Sequence, residues 1–141
     1  MNSMVCKSQI NMKVGDTVIG HYLSGLHHQV YSMPFPLQKI TYYLIDGVTN
    51  HEHTILNLQK RLGWRFNPLW NQFKQYTGFT PKGFITYHRI ELAKQLLSET
   101  DLRMGDIATL LGYEQPHALT MRFQKVMGMS LIAYREKQKI K

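Results

Sequence analysis

One cysteine, Cys6, stands among the 141 residues, so no disulfide can close within the chain and no multi-cysteine zinc site can be built. A reducing interior is the expected home. Long apolar runs are missing as well: none approaches the roughly 20 residues of a membrane span, and the first residues lack a charged region followed by an apolar stretch and a cleavage site. The expectation is a cytoplasmic protein with no membrane partner. There is no glycine loop of the kind that cradles phosphate, no paired carboxylates and no nucleophile elbow, so a binding protein without enzymatic chemistry or cofactor is expected. Histidine is present in the pairs His27, His28 and His51, His53, but the spacing fits no zinc pattern and "HEHT" is not the HExxH of a metalloprotease. These read as solvated loop histidines rather than metal ligands.

Acidic residues are scarce: 9 Asp and Glu stand against 17 Lys and Arg, a formal charge of +8 with histidine neutral. Such a field attracts polyanions, of which nucleic acid is the commonest. Residues 1–50 hold only Lys7, Lys13 and Lys39 against Asp16 and Asp46, so nearly all the excess lies beyond them. A hydrophobic fraction of 43% with 18% charged residues is ordinary for a folded chain of one small domain or two very small ones.

The chain contains one arrangement twice. At an offset of 50, Leu69, Phe73, Gly78, Thr80 and Phe84 match Leu119, Phe123, Gly128, Ser130 and Tyr134. Upstream the offset becomes 49, pairing Leu58, Leu62, Gly63 and Trp64 with Ile107, Leu111, Gly112 and Tyr113. The second copy thus has one extra residue between its glycine and its leucine, a change of loop length. In the first copy Thr54 is placed to cap a helix carrying Ile55, Leu58 and Leu62, and Gly63 ends it with the left-handed backbone a sharp turn needs. Leu69 and Phe73, four apart, return the next helix onto the first. The second copy repeats this with Ile107, Ala108 and Leu111, then Leu119, Phe123 and Val126. Each is the pattern of a helix-turn-helix. Between them, Thr80 caps and Pro81 begins one long helix to Leu97, roughly 25 Å at 1.5 Å per residue. Adjacent major-groove exposures on one face of B-DNA lie about 34 Å apart, a separation that recognition helices at the two ends of such a rod could match.

The stretches "GWRFNPLWNQFKQYTGFTPKGF", "HRIELAKQLL", "IATLLGY" and "LTMRFQKVMGMSLIAYR" make residues 51–135 resemble the DNA-binding domain of the AraC/XylS family of bacterial transcription regulators. The resemblance implies an all-α fold of seven helices, with two helix-turn-helix subdomains joined by a long connecting helix. It also implies double-stranded DNA as partner, a monomer able to read an asymmetric site, and activation of transcription by contact with RNA polymerase. The short, single-domain members of the family are the nearest in size.

With Leu69 and Phe73 inward, helical geometry turns Asn67, Trp70, Asn71 and Lys74 outward as base readers. Trp70 is taken as an exposed tryptophan with no core reason to be there. From the second unit the readers are Gln115, His117, Thr120 and Met121, and Arg122 and Lys125 suit phosphates. Several family members carry arginine where Met121 stands, which leaves open whether this unit reads bases or only backbone. Arg65 and Arg103 occupy positions where the family often has a capping serine; they cannot cap, and their charge opposes the helix dipole, but at a helix start facing DNA they reach phosphate. Arg89, Lys60, Arg61 and Lys82 read as generic basic surface. Met121, Arg65 and Arg103 also favour an alternative, a degenerate interaction module that binds a regulator or RNA polymerase without reading DNA.

Domain 37–141 is expected to start with a helix through Leu37, Ile40, Leu44 and Val48 after Pro36. Residues 1–36 form an extension without an assigned role. Within it, β-branched and aromatic residues broken by Gly15, Gly20 and Gly25 suggest a short β-hairpin. It is too small to enclose an effector, so control by cellular amount is the simpler expectation.

Overall fold

The computed structural model describes residues 3–140 and the side-chain surroundings of 12–139; among these residues every regular element is helical. The elements are α1 (Ser3–Val30), α2 (Phe35–Gly47), α3 (Ile55–Leu62), a 3₁₀ turn (Gly63–Arg65), α4 (Phe66–Thr77), α5 (Pro81–Glu99), α6 (Met104–Leu110), α7 (Pro116–Met127) and α8 (Leu131–Ile140). Helices α2 to α8 are the seven that the resemblance implies.

The caps fall where the sequence puts them. The Thr54 hydroxyl accepts from the Asn57 N–H at 3.1 Å, and that of Thr80 from the Gly83 N–H at 3.0 Å, with Pro81 opening α5. Helices α4 and α7 both close on left-handed glycines, Gly78 at φ 81° and Gly128 at φ 73°. The two turns differ. Gly63, at φ 55° and ψ −127°, passes straight into the 3₁₀ turn and α4, whereas the longer second turn runs from Leu111 through Gly112 to Gln115 before α7 begins.

Two cores result. Leu37, Ile40, Leu44, Leu58, Phe66, Phe73, Phe84 and Ile85 close the first, and Leu92, Leu96, Ile107, Leu111, Leu119, Phe123 and Leu131 are among those that close the second. Helix α5 belongs to both. Phe73 and Phe123, the repeat-related pair, are each fully buried, and at several kcal/mol per buried aromatic they are principal anchors.

The expected N-terminal hairpin is absent; α1 is one continuous helix there. Its apolar positions, Met12, Ile19, Tyr22, Leu26 and Val30, recur at helical spacing and pack on the cores. The three glycines are helix-interior residues rather than breaks. At Gly15 the helix comes close to the second core, where a Cβ would stand 2.8 Å from Leu102 Cδ1 and 3.2 Å from Leu110 Cδ1, whereas Gly20 and Gly25 have nothing within 4 Å. A glycine inside a helix costs only about 1 kcal/mol, which tertiary packing offsets.

Arg89 is not generic surface either. From α5 its Nη2 donates to the Gly47 carbonyl at 2.7 Å and its Nε to that of Val48 at 3.1 Å, while its guanidinium lies 4.8 Å from the centroid of the Tyr113 ring. It thus neutralises the carbonyl end of α2 and joins that end to the second turn. Arg135 does the same for α5, donating to Leu97, Leu102 and Thr100 carbonyls at 3.1, 2.7 and 3.2 Å.

His88 is buried among Phe79, Phe84 and Tyr87, and a 2.6 Å hydrogen bond joins its Nδ1 to the Tyr22 hydroxyl of α1. Burial pushes its pKa down to about 4 and raises that of Tyr22. The unfolded chain, with histidine near 6.5, therefore binds the proton first, so the contribution of neutral His88 is complete above pH 6.5 and is lost as pH falls toward 4. Chemical denaturation at stepped pH should show a loss on the order of 2–3 kcal/mol over that window, and His88→Phe should flatten it. A second expectation concerns the turn glycines. Gly128→Ala adds a Cβ in open space and should cost about 1–2 kcal/mol of backbone strain. Gly112→Ala would also place its Cβ 2.7 Å from Asn50 N and 2.9 Å from Thr49 C, backbone that cannot turn aside, and thermal melts should show a clearly larger loss.

Candidate nucleic-acid interface

Helices α4 and α7 are amphipathic pieces laid on the two cores. Burial of Phe66 and Phe73 on α4 and of Leu119 and Phe123 on α7 fixes which residues face out. On α4 these include Asn67, Asn71 and Lys74, all exposed. Gln115, His117, Thr120 and Met121 are exposed on α7 and at its start, Met121 by 59%. Gln115 is the residue before α7, and Pro116 supplies the first helical position. The Thr120 hydroxyl donates back to the Pro116 carbonyl at 3.4 Å.

Trp70 departs from its sequence reading. It is half-buried, packs against the first core and meets Phe66 edge-on with ring centroids 5.3 Å apart, so the premise of an exposed tryptophan without a core reason does not hold. The exposed one is Trp64, at 85%. Its repeat partner Tyr113 lies beneath Arg89, but in the shorter first turn Phe66 enters the core and Trp64 stays outside. An additional aromatic at position 66, with no apolar counterpart in the second copy, was the signal available in the sequence.

Arg65 and Arg103 hold the N-cap positions of α4 and α6, and neither makes a side-chain capping bond. Arg103 is exposed and pairs with Asp106 of the first turn at 3.6 Å, a contact that relieves its clash with the helix dipole. The Arg65 guanidinium lies 6.0 Å from the Trp64 ring centroid. Lys125 is exposed and Arg122 half-buried. The four basic residues expected at phosphates are therefore divided between helix starts and the flank of α7. Among the described residues no group of three or more histidine, cysteine or carboxylate side chains is placed to hold a metal, and no helix is long and apolar enough to cross a membrane.

A groove of about 960 Å³ beside α4 is lined by Phe35, Pro36, Arg61, Trp64, Arg65 and Pro68, among others. Phe35 is 84% exposed. This apolar and basic surface adjoins the start of α4 without being part of the outward face from Asn67 to Lys74.

Residues 60–137 match a helix-turn-helix domain family. The lactose operon transcription activator of Staphylococcus xylosus is 25% identical over 94% of this chain and 52% of its own length. The transcriptional activator RhaR of Klebsiella pneumoniae is 34% identical over 48% of this chain and 24% of its own length. Among solved structures, the C-terminal domain of AraT, a response regulator from Geobacillus stearothermophilus, superposes with a TM-score of 0.67 at 25% identity, covering 75% of this chain and 88% of that one. The chain thus spans about half or less of the length of these curated relatives.

Proposed function

The chain belongs to the AraC/XylS family of transcription regulators, and on that premise we propose that it binds double-stranded DNA as a monomer, entering adjacent major-groove segments with α4 and α7. The observation that carries this is the pair of exposed polar faces on two helices seated at the two halves of one 19-residue helix, α5. Asn67 and Asn71 offer the bidentate amide that suits adenine, and Gln115 and His117 can hydrogen-bond base edges. Thr120 and Met121 present apolar groups suited to a thymine methyl, and Lys74 can donate to an acceptor edge or a phosphate. Trp70, held edge-on to Phe66, is limited to the part of its ring that remains exposed. Arg65, Arg103, Arg122 and Lys125 would take phosphates, which position the protein without specifying sequence. Activation through RNA polymerase and a place on the nucleoid in the cytoplasm complete the proposal.

A second reading, a protein-interaction module, draws on the exposed Trp64 and Phe35 beside Arg61 and Arg65. Ionic strength separates the two. Affinity for duplex DNA should fall with salt at a log–log slope of about −0.9 per phosphate neutralised, measured by fluorescence anisotropy; an apolar protein interface would show little dependence. Asn71→Ala should lower affinity by about 1–3 kcal/mol at one A·T position while leaving the others in place. Equal weakening on every sequence would remove Asn71 as a reader.

A further inference from the structure

We propose that α1 is a strut that fixes the orientation of the two helix-turn-helix units relative to each other, and through it the spacing of the DNA segments they meet. The second clause rests on the DNA-binding proposal; the first stands on the fold alone. Helix α1 packs on both cores. Its Met12, Val18 and Ile19 lie against the second, Leu26 and Val30 against the first, and Tyr22 and Leu23 against both. It therefore runs opposite to α5, whose Phe84 and Ile85 serve the first core and whose Leu92 to Leu97 serve the second. From Met12 to Val30 it extends about 27 Å at 1.5 Å per residue, long enough to reach across both units.

Three attachments hold it. At one end Gly15 lets the helix come down on Leu102 and Leu110, residues that precede and end the first helix of the second unit. At mid-length the Tyr22 hydroxyl meets His88 Nδ1 at 2.6 Å on α5. At the other end Leu26 and Val30 are 7% and 1% exposed in the first core. A lone connecting helix can bend where the two cores meet; a second rod attached on both sides of that point opposes the bend. Ser24, on the exposed side of α1, lies between the attachments.

The test reads the distance between units without DNA. Spin labels on Gln72→Cys of α4 and Val126→Cys of α7, both exposed positions, are combined with Cys6→Ser, and the distance distribution is measured by pulsed dipolar spectroscopy. The otherwise unaltered chain should give one narrow distribution. Ser24→Pro, which interrupts the strut from a solvent-facing position, should broaden it by about twofold or more. Gly25→Ala, in open space, should leave it unchanged. Gly15→Leu, which forces α1 off Leu102, should shift or broaden it too; if that chain loses helix content by circular dichroism, Gly15→Ala takes its place. A distribution as narrow in Ser24→Pro and the position-15 variant as in the parent would overturn the proposal. Failure to bind any duplex would sink the DNA reading and leave these distances standing.

Discussion

Helix α5 lies in two cores at once, and the remaining architecture follows from that constraint: Phe84 and Ile85 at its start are buried with α2 and α4, while Leu92, Ala93, Leu96 and Leu97 are buried with α6, α7 and α8. Neither helix-turn-helix unit has a complete core without it. Because both units pack on it, with α1 laid across both cores as well, α4 and α7 inherit their separation from it. Carbonyls left without helical partners at two helix ends are met by arginines: Arg135 takes those at the end of α5, and Arg89, extending from the middle of α5, takes those at the end of α2.

Arg89 shows how burial and charge are reconciled at the junction. Desolvation pulls its pKa down while the neighbouring Tyr113 raises it, and Tyr113 is itself pushed up by burial. A guanidinium tolerates this because its planar fork meets two carbonyls and an aromatic face together. Lysine in its place could offer one point charge to the same carbonyls but no fork. Gly112, pressed against Asn50 and Thr49 beside the same guanidinium, completes the seam between the units.

The features legible in the sequence were those whose physical cause is local. The repeat, the Thr54 and Thr80 caps and the fully buried Phe73 and Phe123 each depend on residues a few positions apart, and the structure has them as read; Gly63 ends α3 as read, with a positive φ but a ψ of −127° rather than the left-handed helical one. What was missed depends on partners far along the chain. Gly15 looks like a break until Leu102 and Leu110 are seen beside it, and Arg89 looks solvated until Gly47 and Val48 are found at its tip. Trp70, expected to be exposed, is half-buried instead, in contact with Phe66, which the shorter first turn carries inward. The outward faces of α4 and α7 were otherwise legible, since an inward-turned leucine and phenylalanine four apart, half-buried Leu69 with Phe73 and buried Leu119 with Phe123, determine which residues point away.

The central claim is that two units in fixed relation each read duplex sequence. Its most direct test is selection from a random duplex pool by the purified full chain at moderate salt, followed by sequencing of the bound fraction. Two conserved blocks about one helical turn apart at a constant spacing are expected. One block alone, or no enrichment by protein shown to be folded, would contradict it.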